Sequence, residues 1–295
     1  MRKLFLFGLI VANFSVSVSC QAVHRGFNKY SNVIGKANQL YELDTVLAES
    51  SALCFWNDIF WSLNDSGGQP CLYGVDKQNG SLRHIIHITN SKNIDWEALT
   101  QDDRYFYIGD FGNNNGNRKD LKVLKVRKPD ILNCKEINLQ AEFISFHYPD
   151  QSTFEVRKHK NKWDCESMVY QNDSLFLITK NWLTGFSSIY ALPTLSGNYV
   201  ALKKAVFNAD GLVTDAALSA DGKTLYLVGY RDYVPYISVI SNYSASNLKK
   251  SNVKRFEFSA LLATQTEGIC FIENNLYFSC EKSKVNPASV FIVKR

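Results

Sequence analysis

From about residue 40 onward the chain is built of short apolar runs separated by polar turn residues, with no long amphipathic stretch between them. Runs at 105–109, 175–179 and 224–229 are rich in aromatic and branched side chains and end on turn formers, a pattern that predicts strands. The runs come in an ordered series. A phrase of polar, small and apolar residues recurs five times, as Glu49-Ser50-Ser51-Ala52-Leu53, Asp95-Trp96-Glu97-Ala98-Leu99, Asp164-Cys165-Glu166-Ser167-Met168, Thr214-Asp215-Ala216-Ala217-Leu218 and Gln265-Thr266-Glu267-Gly268-Ile269. Aligned on the small residues at 52, 98, 167, 217 and 268, the steps are 46, 69, 50 and 51 residues, with one insertion at 149–163 in the second. A period of that length is the length of a four-stranded propeller blade. The expectation is an all-β, five-bladed β-propeller of four-stranded blades.

Each phrase is followed by the same succession of runs. Second strands are predicted at 59–63, 105–109, 175–179, 224–229 and 276–280, and third strands at 71–75, 121–126, 188–192, 236–240 and 289–293. Fourth strands follow at 84–88, 142–148, 200–207 and 253–258, but the fifth repeat ends after three. The run at 39–44, ahead of the first phrase, is the natural donor of the missing strand. An N-terminal strand there closes the ring and leaves no open edge between the first and last blades.

The N-terminus changes the expected compartment. Arg2 and Lys3 precede an apolar run at 4–11, and small residues lead to Ser19 and Cys20. This reads as a signal peptide over 1–19, its apolar core being shorter than the roughly 20 residues a membrane span requires. Cys20 resembles the bacterial lipoprotein processing site, although Ser17 stands where that pattern prefers Leu. The expected organisation is a signal peptide (1–19), a lipid-anchored linker (20–37) and a propeller (38–295). The protein is then exported to the bacterial cell envelope and held at a membrane through lipid on Cys20; cleavage without lipidation would make it periplasmic or secreted.

Composition adds little beyond this. The chain is 45% apolar and 13% aromatic, enough for one large β-rich core. Without Arg2 and Lys3 the formal charge falls from +5 to +3, so nucleic-acid binding has no support. The six cysteines after Cys20 lack the spacing of a disulfide scaffold or a zinc site, and their pairing is open. The basic run at 157–162 reads as a solvated loop.

The stretches Asn64-Asp65-Ser66-Gly67, Asp95-Trp96-Glu97-Ala98-Leu99, Gly109-Asp110-Phe111-Gly112-Asn113-Asn114, Asp164-Cys165-Glu166-Ser167-Met168 and Thr266-Glu267-Gly268-Ile269 resemble a family of exported β-propeller lipoproteins common in Bacteroidetes. The chain is also similar to the SdiA-regulated and phytase-like propeller groups. The resemblance runs from about residue 40 to the C-terminus and implies the fold more than an activity.

The repeats also place candidate chemistry. Residues just before the innermost strand of each blade collect around one mouth of the channel, and here they are acidic. Glu97, Glu166 and Glu267 share one aligned position, Glu49 and Asp215 lie within two residues of it, and Asp95 and Asp164 lie two residues upstream. Converging carboxylates repel one another unless a cation or protons neutralise them, and calcium is the natural hard cation for oxygen ligands outside the cytoplasm. A purely structural role, accepting backbone N–H groups of the neighbouring blade, remains open, as does catalysis.

A second ring falls at the ends of the second strands. Asp65, Asp110, Lys180, Arg231 and Lys282 are its candidate ligand-binding residues, suited to a phosphate, sugar acid or carboxylate. Residues 113–118 read as a loop over the mouth, and Trp96 and Trp182 as possible stacking partners for a sugar. The histidines, His159 included, fall away from the aligned mouth, and no nucleophile motif is present.

Two functions follow. One is a cell-envelope binding or scaffold propeller with a calcium site and a small molecule, glycan or protein at its rim. The alternative is a calcium-dependent hydrolase of a phosphorylated or sugar-derived substrate. There Glu97 or Glu166 is the base, Asp110 a metal ligand or water orienter, and Lys180 and Arg231 stabilise negative charge.

Overall fold

The computed structural model describes residues 27–130, 132–284 and 286–293; the stretch read above as a signal peptide, and Cys20, lie outside them. Two N-terminal strands, β1 (Lys29–Ile34) and β2 (Ala37–Glu42), precede the repeats. The first blade holds β3 (Cys54–Trp56), β4 (Ile59–Ser62), β5 (Cys71–Asp76) and β6 (Leu82–Ile88). The second repeat contributes β7 (Trp96–Gln101), β8 (Tyr105–Asp110), β9 (Lys122–Arg127), β10 (Glu136–Leu139) and β11 (Ala141–His147). The third contributes β12 (Asp164–Gln171), β13 (Ser174–Lys180), β14 (Phe186–Pro193), β15 (Gly197–Val200) and β16 (Leu202–Asn208). The fourth holds β17 (Leu212–Leu218), β18 (Thr224–Arg231), β19 (Val234–Ser241) and β20 (Asn252–Glu257), and the fifth β21 (Thr266–Ile272), β22 (Asn275–Cys280) and β23 (Ser289–Val293). Five sheets of antiparallel meanders result, so the five-bladed propeller is observed.

Ring closure is more elaborate than one donated strand. β2 pairs antiparallel with β23 and supplies the fourth strand of the last blade. β1, in the stretch read above as linker, pairs in parallel with β20 as a fifth strand on the blade before it. The same two-strand pattern occurs inside the chain: β10 lies parallel on β6 and is followed by β11, and β15 lies parallel on β11 and is followed by β16. The N-terminal pair is therefore the missing end of the fifth repeat, moved to the front of the chain. The short β10 and β15 have no pattern in the sequence beyond a few polar-apolar alternations.

Tight two-residue turns join the strands. Asn57 and Asp58, and Asn172 and Asp173, have φ of 55°, 59°, 49° and 55°, the left-handed geometry that matches the twist of a hairpin and that Asn and Asp tolerate best. Between blades the core is aromatic. Trp61, Trp96 and Phe106 are fully buried in one cluster with Leu72, Ile86 and Leu124. Trp96 therefore belongs to the packing and is closed to a sugar. All six cysteines of the described residues are free thiols, and every one except Cys134 is buried.

Small residues recur in the phrase because the innermost strands crowd at the axis. A Cβ added at Gly268 would stand 2.7 Å from the carbonyl carbon of Ala52 and 2.8 Å from the amide nitrogen of Leu53, well inside contact distance. This waist separates a cavity at the acidic mouth from a wider one, of about 640 Å³, at the opposite mouth.

Candidate functional site

The phrase does more than start a strand. In three blades the pairing of the innermost strand with the next slips by one residue, and the residue left unpaired is Glu97, Glu166 or Glu267. A bulge of this kind re-aims a side chain, and all three carboxylates line one cavity of about 260 Å³ at the mouth. They are 4%, 3% and 6% exposed. In the fourth blade the unpaired residue is Thr214, so Asp215 takes the place that Ala98, Ser167 and Gly268 hold elsewhere. The alignment on Ala217 is thus two residues out in this blade.

That shift gives Asp215 a different job. Its Oδ2 accepts the amide of Ile269 in the next blade at 2.8 Å, and burial raises its pKa well above the carboxylate range despite the amides that face it. Asp164 likewise accepts the amide of Asn113 at 2.6 Å and the indole Nε1–H of Trp182 at 2.6 Å. These two aspartates lock the ring, the structural role left open above. The three glutamates do not bond to neighbouring backbone in this way.

The cavity is lined by Ser51, Asp65, Glu97, Glu166, Glu267 and Glu281, together with Lys180, Trp182, Tyr230, Asn114, His159 and Gln265. One oxygen each from Asp65, Asp95 and Glu97 lies within 4.8 Å of the other two. Of the predicted metal set, Glu97 alone joins this trio, and Glu166 and Glu267 stand elsewhere on the same wall. Gly112 is the floor of the trio: a Cβ there would sit 2.5 Å from both the Asp95 carboxyl carbon and Glu97 Oε1. The Ser51 hydroxyl donates to Glu97 Oε2 at 3.3 Å.

Charge in the cavity is one-sided. Lys180 Nζ stands 3.0 Å from Glu166 Oε2, and the surrounding carboxylates hold it protonated against the cost of burial. The indole of Trp182 lies beneath the ammonium at 4.5 Å. Glu166 Oε1 is buried without a hydrogen-bond partner. Burial, then Glu166 and Asp65, push Glu97 well above the carboxylate range. Burial and Asp65 push Asp95 up to about 7 against the opposing pull of Arg118. Glu267 rises to about 7 through burial, partly offset by Lys180, and Glu281 to about 8 through burial and Glu267.

The second predicted ring divides. Asp65 and Lys180 reach the cavity; Asp110, Arg231 and Lys282 do not line it. Asp110 is fully buried behind it, paired at 2.9 Å with both Arg118 and Lys122. Arg231 turns to Asp210 and Glu257 on the outside of the fourth blade. Lys282 is exposed, its amide bonded to the Ala48 carbonyl. His159 corrects the reading of the histidines, since the inserted segment folds back over the mouth. Its amide donates to the Asn114 carbonyl at 2.9 Å, Asn161 Nδ2 donates to the Asn113 carbonyl at 3.0 Å, and the imidazole stacks on Trp182 with centroids 4.1 Å apart. Ser51 could have been found as the first-repeat equivalent of Glu97; nothing local marks His159, which a long-range fold-back delivers.

Fold and site together define a five-bladed β-propeller with an acidic, partly capped cavity at one end of its axis. Among solved structures the chain is similar to the exo-β-1,3-galactanase of Phanerochaete chrysosporium determined with galactose, at 12% identity and TM-score 0.53, over 87% of this chain and 64% of that one. It is also similar to a putative exported protein of Bacteroides fragilis (10% identity, TM-score 0.43, 91% and 98% of the chains) and to a putative 6-phosphogluconolactonase of Bacteroides uniformis (13%, 0.40, 80% and 67%). The chain thus spans less than two thirds of the galactanase, and that likeness speaks to the fold alone. No family model and no curated protein matches it.

Proposed function

We propose that this is a cell-envelope binding propeller that holds a divalent cation, calcium, between Asp65, Asp95 and Glu97, and presents the cavity above it to a small molecule or glycan. The observation that carries the reading is the convergence of these three carboxylate oxygens within 4.8 Å. The unpartnered Glu166 Oε1 in the same cavity supports it, because a buried carboxylate oxygen without a donor calls for a cation or a proton. Calcium takes six to eight oxygen ligands, so positions remain for water or ligand oxygens. Anchoring through Cys20 and export belong to this proposal on the strength of the N-terminal sequence.

The hydrolase alternative gains nothing from the geometry. Lys180 is already offset by Glu166, and Arg231 points away from the cavity. Calcium titration calorimetry on the chain from residue 21 tests the reading, run beside an Asp65→Asn, Glu97→Gln variant. One-to-one binding lost in the variant is expected; no binding by the unmodified chain, or equal binding by both, overturns it.

A further inference from the structure

The carboxylates of the acidic cavity fall into two groups. Asp65 and Glu97, with Asp95 beside them, are the trio whose oxygens converge, while Glu166, Glu267 and Glu281 line the rest of the wall. Positive charge facing this second group is scarce. Lys180, 3.0 Å from Glu166 Oε2, is the one lysine or arginine among the lining residues. Glu267, 6% exposed, and Glu281 form no ion pair among the described residues, and Glu166 Oε1 is buried without a hydrogen-bond partner. A calcium ion in the trio leaves this imbalance in place, because its two charges already face three carboxylates there.

Spacing selects the kind of cation that would offset it. Ligand oxygens about 2.4 Å from a metal ion lie within about 5 Å of one another. Among the described residues the trio alone meets that condition, and Glu166, Glu267 and Glu281 do not. Carboxylates set further apart suit a larger cation with separate N–H donors, such as a primary ammonium with its three. An anion is disfavoured for the same reason: Arg231 and Lys282, two of the three cations expected to hold a phosphate or sugar acid, do not line the cavity. Size narrows the ligand further. The cavity of about 260 Å³ is smaller than the roughly 300–1,000 Å³ of pockets for drug-sized molecules, and the segments carrying Asn114 and His159 lie over it. Its room is that of a single sugar ring.

We propose that the ligand of this cavity is a small hydroxylated primary amine, an amino sugar in size, its ammonium received by Glu267, Glu281 and the free oxygen of Glu166 and its hydroxyls directed to the calcium ion. The hydroxyl contacts rest on the calcium reading given above. The ammonium site rests on carboxylates outside the trio and stands apart from it.

Three hexose probes test the proposal: D-glucosamine, D-glucose and D-glucuronate, which carry an ammonium, no charge and a carboxylate on the same ring. Each is titrated by calorimetry into the chain from residue 21, in an amine-free buffer, once with calcium and once with chelator. Glucosamine is expected to bind at least about tenfold more tightly than glucose, and glucuronate more weakly than either. The Glu267→Gln, Glu281→Gln variant should lose that preference for the amine while still binding one calcium ion. Glu281→Gln alone, at a half-buried position just after β22, should lose part of it and serves if the urea midpoint shows the double variant to be unfolded. Absence of glucosamine binding, glucose or glucuronate bound as tightly, or an undiminished preference in the folded variants overturns the ammonium site. If the unmodified chain binds no calcium, the calcium reading falls, and the ranking of the three probes in chelator still upholds or overturns the ammonium site.

Discussion

Lys180 Nζ and Glu166 Oε2 are 3.0 Å apart at the end of β13 and the start of β12, and both side chains are almost wholly buried. Removing one partner of such a pair leaves an uncompensated buried charge and costs about 3–5 kcal/mol. Lys180→Met is therefore expected to lower the urea midpoint strongly, whereas Lys180→Met with Glu166→Gln should recover most of the loss. A double variant no more stable than the single one would show that the pair is not the reason.

Acidity should couple to stability and to calcium with opposite signs. Asp95, Glu267 and Glu281 are held up to about 7, 7 and 8 in the folded chain, against roughly 4 when unfolded. Their folded pKa values are raised, so their contribution is fully present below about pH 4 and is lost as pH rises toward 8. In chelator, the melting temperature should fall from mildly acidic pH to pH 8. Calcium binds the ionised forms, so its stabilising effect should grow over the same interval. Binding near pH 7 should also release protons, visible as a dependence of the calorimetric heat on buffer ionisation enthalpy.

Gly112 offers a separate test of the trio. A methyl group at this buried position meets the side chains of Asp95 and Glu97 at 2.5 Å. Gly112→Ala should weaken calcium at least about tenfold while leaving the urea midpoint close to that of the parent. Unchanged calcium affinity would place the ion elsewhere in the cavity.

The N-terminal pair makes a graded prediction about closure. Starting the chain at Lys36 removes β1, an edge strand with a mostly exposed face, and exposes β20. Starting it at Leu43 also removes β2 and leaves β23 unpaired at the seam between the last and first blades. The first truncation should fold and unfold cooperatively at a modestly lower temperature. The second should lose cooperative unfolding by circular dichroism and associate through the open edge.

Local order was legible because it is periodic. Five repeats, the order of strands within each, the turns at Asn57-Asp58 and Asn172-Asp173, and a strand donated from about residue 39 all follow from alternation and spacing, which depend on neighbouring residues alone. The acidic position was legible for the same reason: Glu97, Glu166 and Glu267 recur at one place in the phrase. Tertiary structure decided what spacing cannot express. The bulges that turn those glutamates inward, and the two-residue shift that makes Asp215 a lock while Thr214 takes the glutamate position, are pairing registers between strands. The departure of Arg231 to Asp210, and the return of His159 over Trp182, are choices between partners distant in the chain. A carboxylate reads the same in sequence whether it meets an amide, a lysine or open space, and only packing decides which.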